Sequence, residues 1–166
     1  MPKTRKLALM AMFTAASLIV FVIEAQIPAP IPVPGVKLGL ANIFTLIAMV
    51  MLGRREAGLI LLVRIAMGSM FTGGVSAFIF SIAGGALAYA VMCLTLKLFP
   101  EKLLWVVSVL GAAAHNLGQL AAAIIITKTS SLILYAPALL ASAVITGAFT
   151  GIAAMYLIRR LDKRVG

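Results

Sequence analysis

Arg64 lies within the apolar run from Ala57 to Thr72, where a guanidinium is expensive to place. Insertion scales put a central Arg in a membrane helix at about 2.5–3.5 kcal/mol. Such a side chain turns to the protein interior and bonds to carbonyls, a partner side chain or a bound anion. Structural bracing and direct ligand contact both fit it. A second constellation is His115-Asn116-x-x-Gln119. Helical geometry spreads these three over no more than about a third of the circumference, so their polar ends converge on one region. They fit an interhelical clamp, worth about 0.6–2 kcal/mol per hydrogen bond, or a set of substrate contacts. Glu24, Lys37 and Asn42 flank a proline-rich segment. Lys37 alone would snorkel to the interface. Grouped with Arg64 and Lys128, and with Glu24 as a partial counter-charge, it makes an outward-facing pocket cationic. That chemistry suits an anionic or amphipathic small molecule. Ser81 and Gly84-Gly85 either let a flat ligand approach the backbone or let two helices pack closely.

Catalysis is poorly served. The four acidic residues are Glu24, Glu56, Glu101 and Asp162, and no two of them form a close carboxylate pair. Phosphate-binding Walker loops, Gly-x-Ser-x-Gly and His-Glu-x-x-His are missing from the sequence. With no nucleotide site, this chain does not drive transport by hydrolysis itself, and no cofactor or metal site is expected. A single His makes no metal site, and the lone Cys93 makes neither a disulfide framework nor a thiolate site.

The elements that carry these side chains are membrane-length. The 166 residues are 63% hydrophobic and 11% charged, where soluble domains are about a quarter charged. Cations gather at alternate breaks between apolar runs: Lys3, Arg5 and Lys6; Arg54 and Arg55; Lys97 and Lys102; Arg159, Arg160, Lys163 and Arg164. The other breaks hold only Lys37 and Lys128. Lys- and Arg-rich short loops stay cytoplasmic. The pattern predicts an all-α integral membrane bundle of six spans in the cell membrane, with both termini cytoplasmic. The net charge of +10 reads as topology signals and contacts with anionic lipid rather than nucleic-acid binding, because no basic helix or stripe exists.

One membrane domain covers residues 1–166, with spans at about 7–25, 37–52, 57–72, 76–98, 103–127 and 138–158. The first run is longer than the 7–15 residues of a signal-peptide core and lacks a convincing cleavage site, so an uncleaved span is expected. Four alternate prolines from Pro28 to Pro34 enforce an extended outside segment. Span three is short, roughly 24 Å long against a hydrocarbon thickness of roughly 30 Å. Small residues recur every fourth position: Ala11-x-x-x-Ala15, Ser81-x-x-x-Gly85, Ala114-x-x-x-Gly118-x-x-x-Ala122 and Ala143-x-x-x-Gly147-x-x-x-Gly151. Such seams let helix backbones approach in lipid.

Several strings together carry a family resemblance: Pro34-Gly35-Val36-Lys37-Leu38-Gly39-Leu40-Ala41-Asn42, Arg64, Phe80-Ser81-Ile82-Ala83-Gly84-Gly85-Ala86-Leu87, and His115-Asn116-Leu117-Gly118-Gln119-Leu120. In order and spacing they resemble the Gx transporters, a family labelled heptaprenyl diphosphate synthase component I. That family is similar to the substrate-binding S components of energy-coupling factor transporters. The resemblance implies a six-helix bundle that holds a small molecule near its outer face. A separate transmembrane coupling protein and cytoplasmic ATPases would supply the power. It also implies docking through small residues of span one, which here are Ala11 and Ala15.

The expected function is therefore capture of a vitamin-like or quinone/isoprenoid-related molecule, with Lys37, Asn42, Arg64, Ser81, His115, Asn116 and Gln119 as ligand-binding candidates. The competing function is a non-catalytic membrane accessory subunit of a prenyl diphosphate synthase or redox system. A weaker third reading is a small ion or solute facilitator. Prenyl chain elongation by this chain itself is not expected. That chemistry needs carboxylates to hold Mg²⁺ on diphosphate, and Asp162 is the single Asp.

Overall fold

The computed structural model of the protein describes residues 2–27, 33 and 37–165, the last four of these by backbone alone. Within these residues all regular structure is helical: α1 (Lys3–Gln26), α2 (Asn42–Met51), α3 (Arg54–Thr72), α4 (Gly74–Thr95), α5 (Leu104–Thr127) and α6 (Ala136–Val165). Short 3-10 turns, Glu101–Leu103 and Ser130–Tyr135, lead into α5 and α6. The turn from α2 to α3 depends on Gly53. Its φ of 107° takes the left-handed path while its N–H and that of Leu52 both bond to the Ala48 carbonyl, at 3.1 and 2.8 Å. Only glycine adopts that path without a Cβ penalty.

Four stretches are long and apolar enough to cross a membrane: α1, α4, and α5 and α6 with their leading turns. They fit a membrane protein. The surface agrees, because its polarity is inverted relative to a soluble bundle. Met70, Ile125, Ile145 and Phe149 are 82, 75, 73 and 69% exposed, whereas Arg64, Gln119 and Asn116 are 2, 1 and 1% exposed. Apolar outer faces match hydrocarbon, and polar side chains that lipid cannot solvate are turned inward.

The short α2 is the hub. It touches α1, α3, α4, α5 and α6, and Asn42 and Thr45 through Met49 are buried on it. Its ten residues rise about 15 Å, so it does not have the length of a span. The apolar pattern starts this element near Lys37, whereas the helix begins five residues later, at Asn42. Lys37 and Leu38 carry no regular structure, and Gly39, at φ 78°, admits the chain past the His115 ring. The predicted stretch at 76–98 becomes a helix from Gly74 to Thr95, and the last helix runs to Val165 rather than 158. Most of the proline segment, residues 28–32 and 34–36, lies outside the described residues. Val33 is buried against Phe80, Leu120 and Leu139, so at that residue the segment is anchored to α4, α5 and α6.

The small-residue seams are where backbones meet. A Cβ on Gly118 would lie 2.6 Å from the Ala83 carbonyl oxygen, which sets α5 against α4. Cβ atoms on Gly147 and Gly151 would lie 2.6 Å from the Cα atoms of Val109 and Trp105, which sets α6 against α5. Ser108 and Thr150 share a hydrogen bond of 3.0 Å across the same seam. Ala11 and Ala15 differ: they lie on the exposed side of α1. At the opposite end from Gly39, a Lys6–Glu56 ion pair ties the start of α1 to the start of α3.

Because the Gly147 contact is with backbone, it cannot relax by a rotamer change. Gly147→Val should therefore destabilise the bundle by about 1–3 kcal/mol through overpacking, seen as a lower thermal unfolding midpoint in detergent. Ile145→Val, on the exposed side of the same helix, should leave the midpoint within error. Equal midpoints for both variants would contradict the close α5–α6 approach.

Candidate functional site

Six elements bring polar side chains to one place. Glu24 comes from the end of α1, Lys37 and Gly39 from the connector, and Asn42 from the first position of α2. Arg64 comes from the middle of α3, Ser81 from α4, and His115 and Gln119 from α5. Phe21, Glu24, Lys37, Gly39, Ala41, Arg64, Ser81, His115 and Gln119 line a shared cavity. Its volume is about 10 Å³, at the lower limit for one water. The site is closed.

Backbone and side chain are interlocked around this cavity. The Gln119 Oε1 accepts from the Lys37 backbone N–H at 2.9 Å, and Glu24 accepts from the Gly39 backbone N–H. These two bonds fix the irregular connector to α5 and to α1. Arg64 Nη2 donates to Asn42 Oδ1 at 3.2 Å, joining α3 to α2. Lys37 Nζ stands 4.0 Å from the centroid of the Phe21 ring and Arg64 Cζ 5.7 Å from it. One aromatic ring thus faces two cations, an arrangement that is attractive when desolvated. Phe21 reaches this position because Gly68 has no side chain; a Cβ there would lie 2.5 Å from the ring.

Glycines also frame the imidazole. A Cβ on Gly39 would meet His115 Cδ2 at 2.8 Å, and one on Gly84 would meet His115 Cε1 and Nδ1 at 2.9 Å. The ring is held between the connector and α4, which explains why both positions lack a side chain. Nδ1 faces the Gly84 backbone without reaching hydrogen-bond geometry.

The cluster is rich in unsatisfied donors. Lys37 Nζ, Asn42 Nδ2, Arg64 Nε and Ser81 Oγ are buried without a hydrogen-bond partner, as is His115 Nδ1. Asn42, Arg64, Ser81 and His115 are 9, 2, 3 and 5% exposed. Leaving a buried donor unpaired costs about 1–3 kcal/mol, and more for a charged one. Glu24 is 4% exposed and interacts electrostatically with both Arg64 and Lys37. It makes no salt bridge with either of them. Two cations against one carboxylate give this region an excess of positive charge and of N–H groups, which suits a group bearing oxygen acceptors. No three His, Cys, Asp or Glu side chains come together in the described part of the chain.

Of the residues singled out by sequence, Lys37, Asn42, Arg64, Ser81, His115 and Gln119 are brought together. Asn116 is not. One residue beyond His115, it points to α6, where Nδ2 donates to the Leu139 carbonyl at 2.8 Å and to Ser142 Oγ at 3.3 Å. This is the geometry of an interhelical clamp. Phe21 and Gly39 were not anticipated as site residues. The Phe21-x-x-Glu24 spacing, which stacks an aromatic over an acid on one face of α1, was the available signal.

The whole of this constellation falls within residues 13–157, which match the model of a family described as heptaprenyl diphosphate synthase component I. The chain belongs to that family. No curated protein and no solved structure matches it.

Glu24 is the element of the cluster whose loss should be felt most widely. Glu24→Ala removes the acceptor for the Gly39 N–H and the counter-charge for the buried Arg64 and the half-buried Lys37. A loss of about 3–5 kcal/mol is expected, the range for leaving a buried charge uncompensated. Adding Lys37→Met should restore part of the thermal midpoint in detergent. A midpoint unchanged by Glu24→Ala, or a purely additive double variant, would contradict the coupling.

Proposed function

We propose that this component I chain is a membrane substrate-capture subunit, comparable to the S components of energy-coupling factor transporters. It would take a small vitamin-like or quinone/isoprenoid-related molecule and work with a separate coupling protein and cytoplasmic ATPases. The observation that carries this reading is the cluster of buried, unpartnered donors around Arg64. A purely structural core would pair those groups or replace them with apolar ones. A ligand with carboxylate, carbonyl or phosphate oxygens would pair them instead. Loading would enlarge the cavity by displacing the connector around Lys37 and Gly39, which carries no regular structure.

The remaining features are consistent with this role. Charge asymmetry across the bundle supports six passes with cytoplasmic termini, the second made by the connector from Lys37 together with the enclosed α2, while α3 presents Leu62, Met67 and Met70 on an exposed apolar face. The site then opens outward beneath the proline segment. The chain itself would be non-catalytic. Ala11 and Ala15, on the exposed side of α1, would be the seam against which a coupling protein packs.

The family description favours a second reading, a non-catalytic membrane subunit of a prenyl diphosphate synthase. Purification in mild detergent separates the two. Coupling protein and ATPases should accompany the chain under the first reading; a prenyl synthase alone would replace the first reading with the second. Mass spectrometry of the gently extracted protein should find a bound small molecule that Arg64→Gln loses and Asn116→Ala retains. Retention by both variants would place the ligand elsewhere. Ala11→Leu/Ala15→Leu should lower uptake at least tenfold with ligand affinity unchanged; normal uptake would remove α1 as the docking face.

A further inference from the structure

A second, larger cavity lies at the far end of the bundle, where the cations cluster. It has a volume of about 490 Å³. Its apolar wall includes Met49 from the end of α2, Leu96 and Phe99 from the α4–α5 connection, and Met155 and Ile158 from α6. Its polar lining is Arg54, Lys102, Arg159 and Glu101. Three cations against one carboxylate leave two net positive charges at the mouth of an apolar chamber.

The two halves of this lining have different preferences. Met, Leu, Phe and Ile side chains offer nothing to a free inorganic anion. Three cations disfavour a neutral hydrocarbon occupant. Guanidinium groups match phosphate oxygens in a two-pronged geometry. The occupant that satisfies both halves carries a hydrocarbon chain and a phosphate on one molecule.

We propose that this cavity is a binding site for a phosphate-headed amphiphile, separate from the Arg64 cluster. The phosphate lies among Arg54, Lys102 and Arg159, and the chain lies along Met49, Phe99 and Met155. An anionic phospholipid of the surrounding leaflet and a polyprenyl diphosphate share this chemistry. The site does not depend on the substrate-capture role, since none of its lining belongs to the outer cluster.

The single tryptophan, Trp105, follows the wall residue Leu104 and serves as a reporter. Full-length protein in neutral detergent would be titrated with geranylgeranyl diphosphate, geranylgeraniol, dioleoyl phosphatidylglycerol, dioleoyl phosphatidylcholine and inorganic diphosphate. Trp105 fluorescence and native mass spectrometry would be read together. Geranylgeranyl diphosphate or phosphatidylglycerol should bind at least tenfold more tightly than its neutral counterpart and than inorganic diphosphate. The tighter of the two anionic ligands identifies the source. Lys102 and Arg159 are exposed, so Lys102→Gln/Arg159→Gln keeps the fold, and it should weaken the anionic amphiphile at least tenfold. Lys97→Gln, an exposed cation of the same end that does not line the cavity, should leave affinity unchanged. Equal binding of geranylgeraniol and its diphosphate would overturn the proposal. So would equal losses from Lys97→Gln and the cavity variant, which would reduce the effect to diffuse surface charge.

Discussion

A guanidinium has no acceptable position in hydrocarbon other than against polar groups of its own protein, and the arrangement of this bundle follows from where Arg64 is kept. It projects from α3 into the interior, bonds to Asn42 at the head of α2 and shares the Phe21 ring with Lys37. Each partner draws another element inward. Asn42 makes α2 begin at the cluster, Phe21 brings α1 against Gly68, and Lys37 ties the connector to Gln119 of α5. A residue that opposes membrane insertion by itself thereby becomes the point around which five elements are registered.

Glycine makes this concentration of polar groups possible. Gly39 and Gly84 leave the space that the His115 ring occupies, and Gly68 leaves the space for Phe21. Elsewhere Gly118, Gly147 and Gly151 bring α4, α5 and α6 into backbone contact. Van der Waals packing of this kind must hold membrane helices together, since lipid provides no hydrophobic drive for it. The two uses differ in consequence. The α4–α5–α6 seam is close-packed and bridged by the Ser108–Thr150 and Asn116–Leu139 hydrogen bonds, whereas the Gly39 side is an irregular connector held by two side-chain acceptors.

Much of this was legible in the residues. Apolar runs separated by basic turns gave the helical membrane class, and four-residue spacing of small residues gave the seams. Arg64 and His115-x-x-x-Gln119 marked the cluster because polar side chains in apolar runs need partners. What could not be read was local geometry. The shortness of α2 follows from the left-handed Gly39 and from backbone N–H groups committed to Glu24 and Gln119, and those partners lie 15 and 82 residues away. Adjacent in sequence, His115 and Asn116 serve different neighbours, because 100° of helical rotation turns one to α4 and the other to α6. Glu24 read as a peripheral counter-charge at a helix end; its burial depends on contacts no local pattern encodes. The family match over residues 13–157 adds a lineage to this reading without specifying a ligand.

The central proposal is that the Arg64 cluster is a ligand-binding site reached from outside the cell. Thiol accessibility of Ser81, a wall residue with an unpartnered hydroxyl, tests it most directly. Ser81→Cys on a Cys93→Ser background would be treated in intact cells with a charged, membrane-impermeant thiol reagent, alongside exposed Thr129→Cys. The account predicts that Cys at 81 reacts from outside, more slowly than Cys at 129. Reaction solely from the cytoplasmic side, or none while position 129 is labelled, would contradict it.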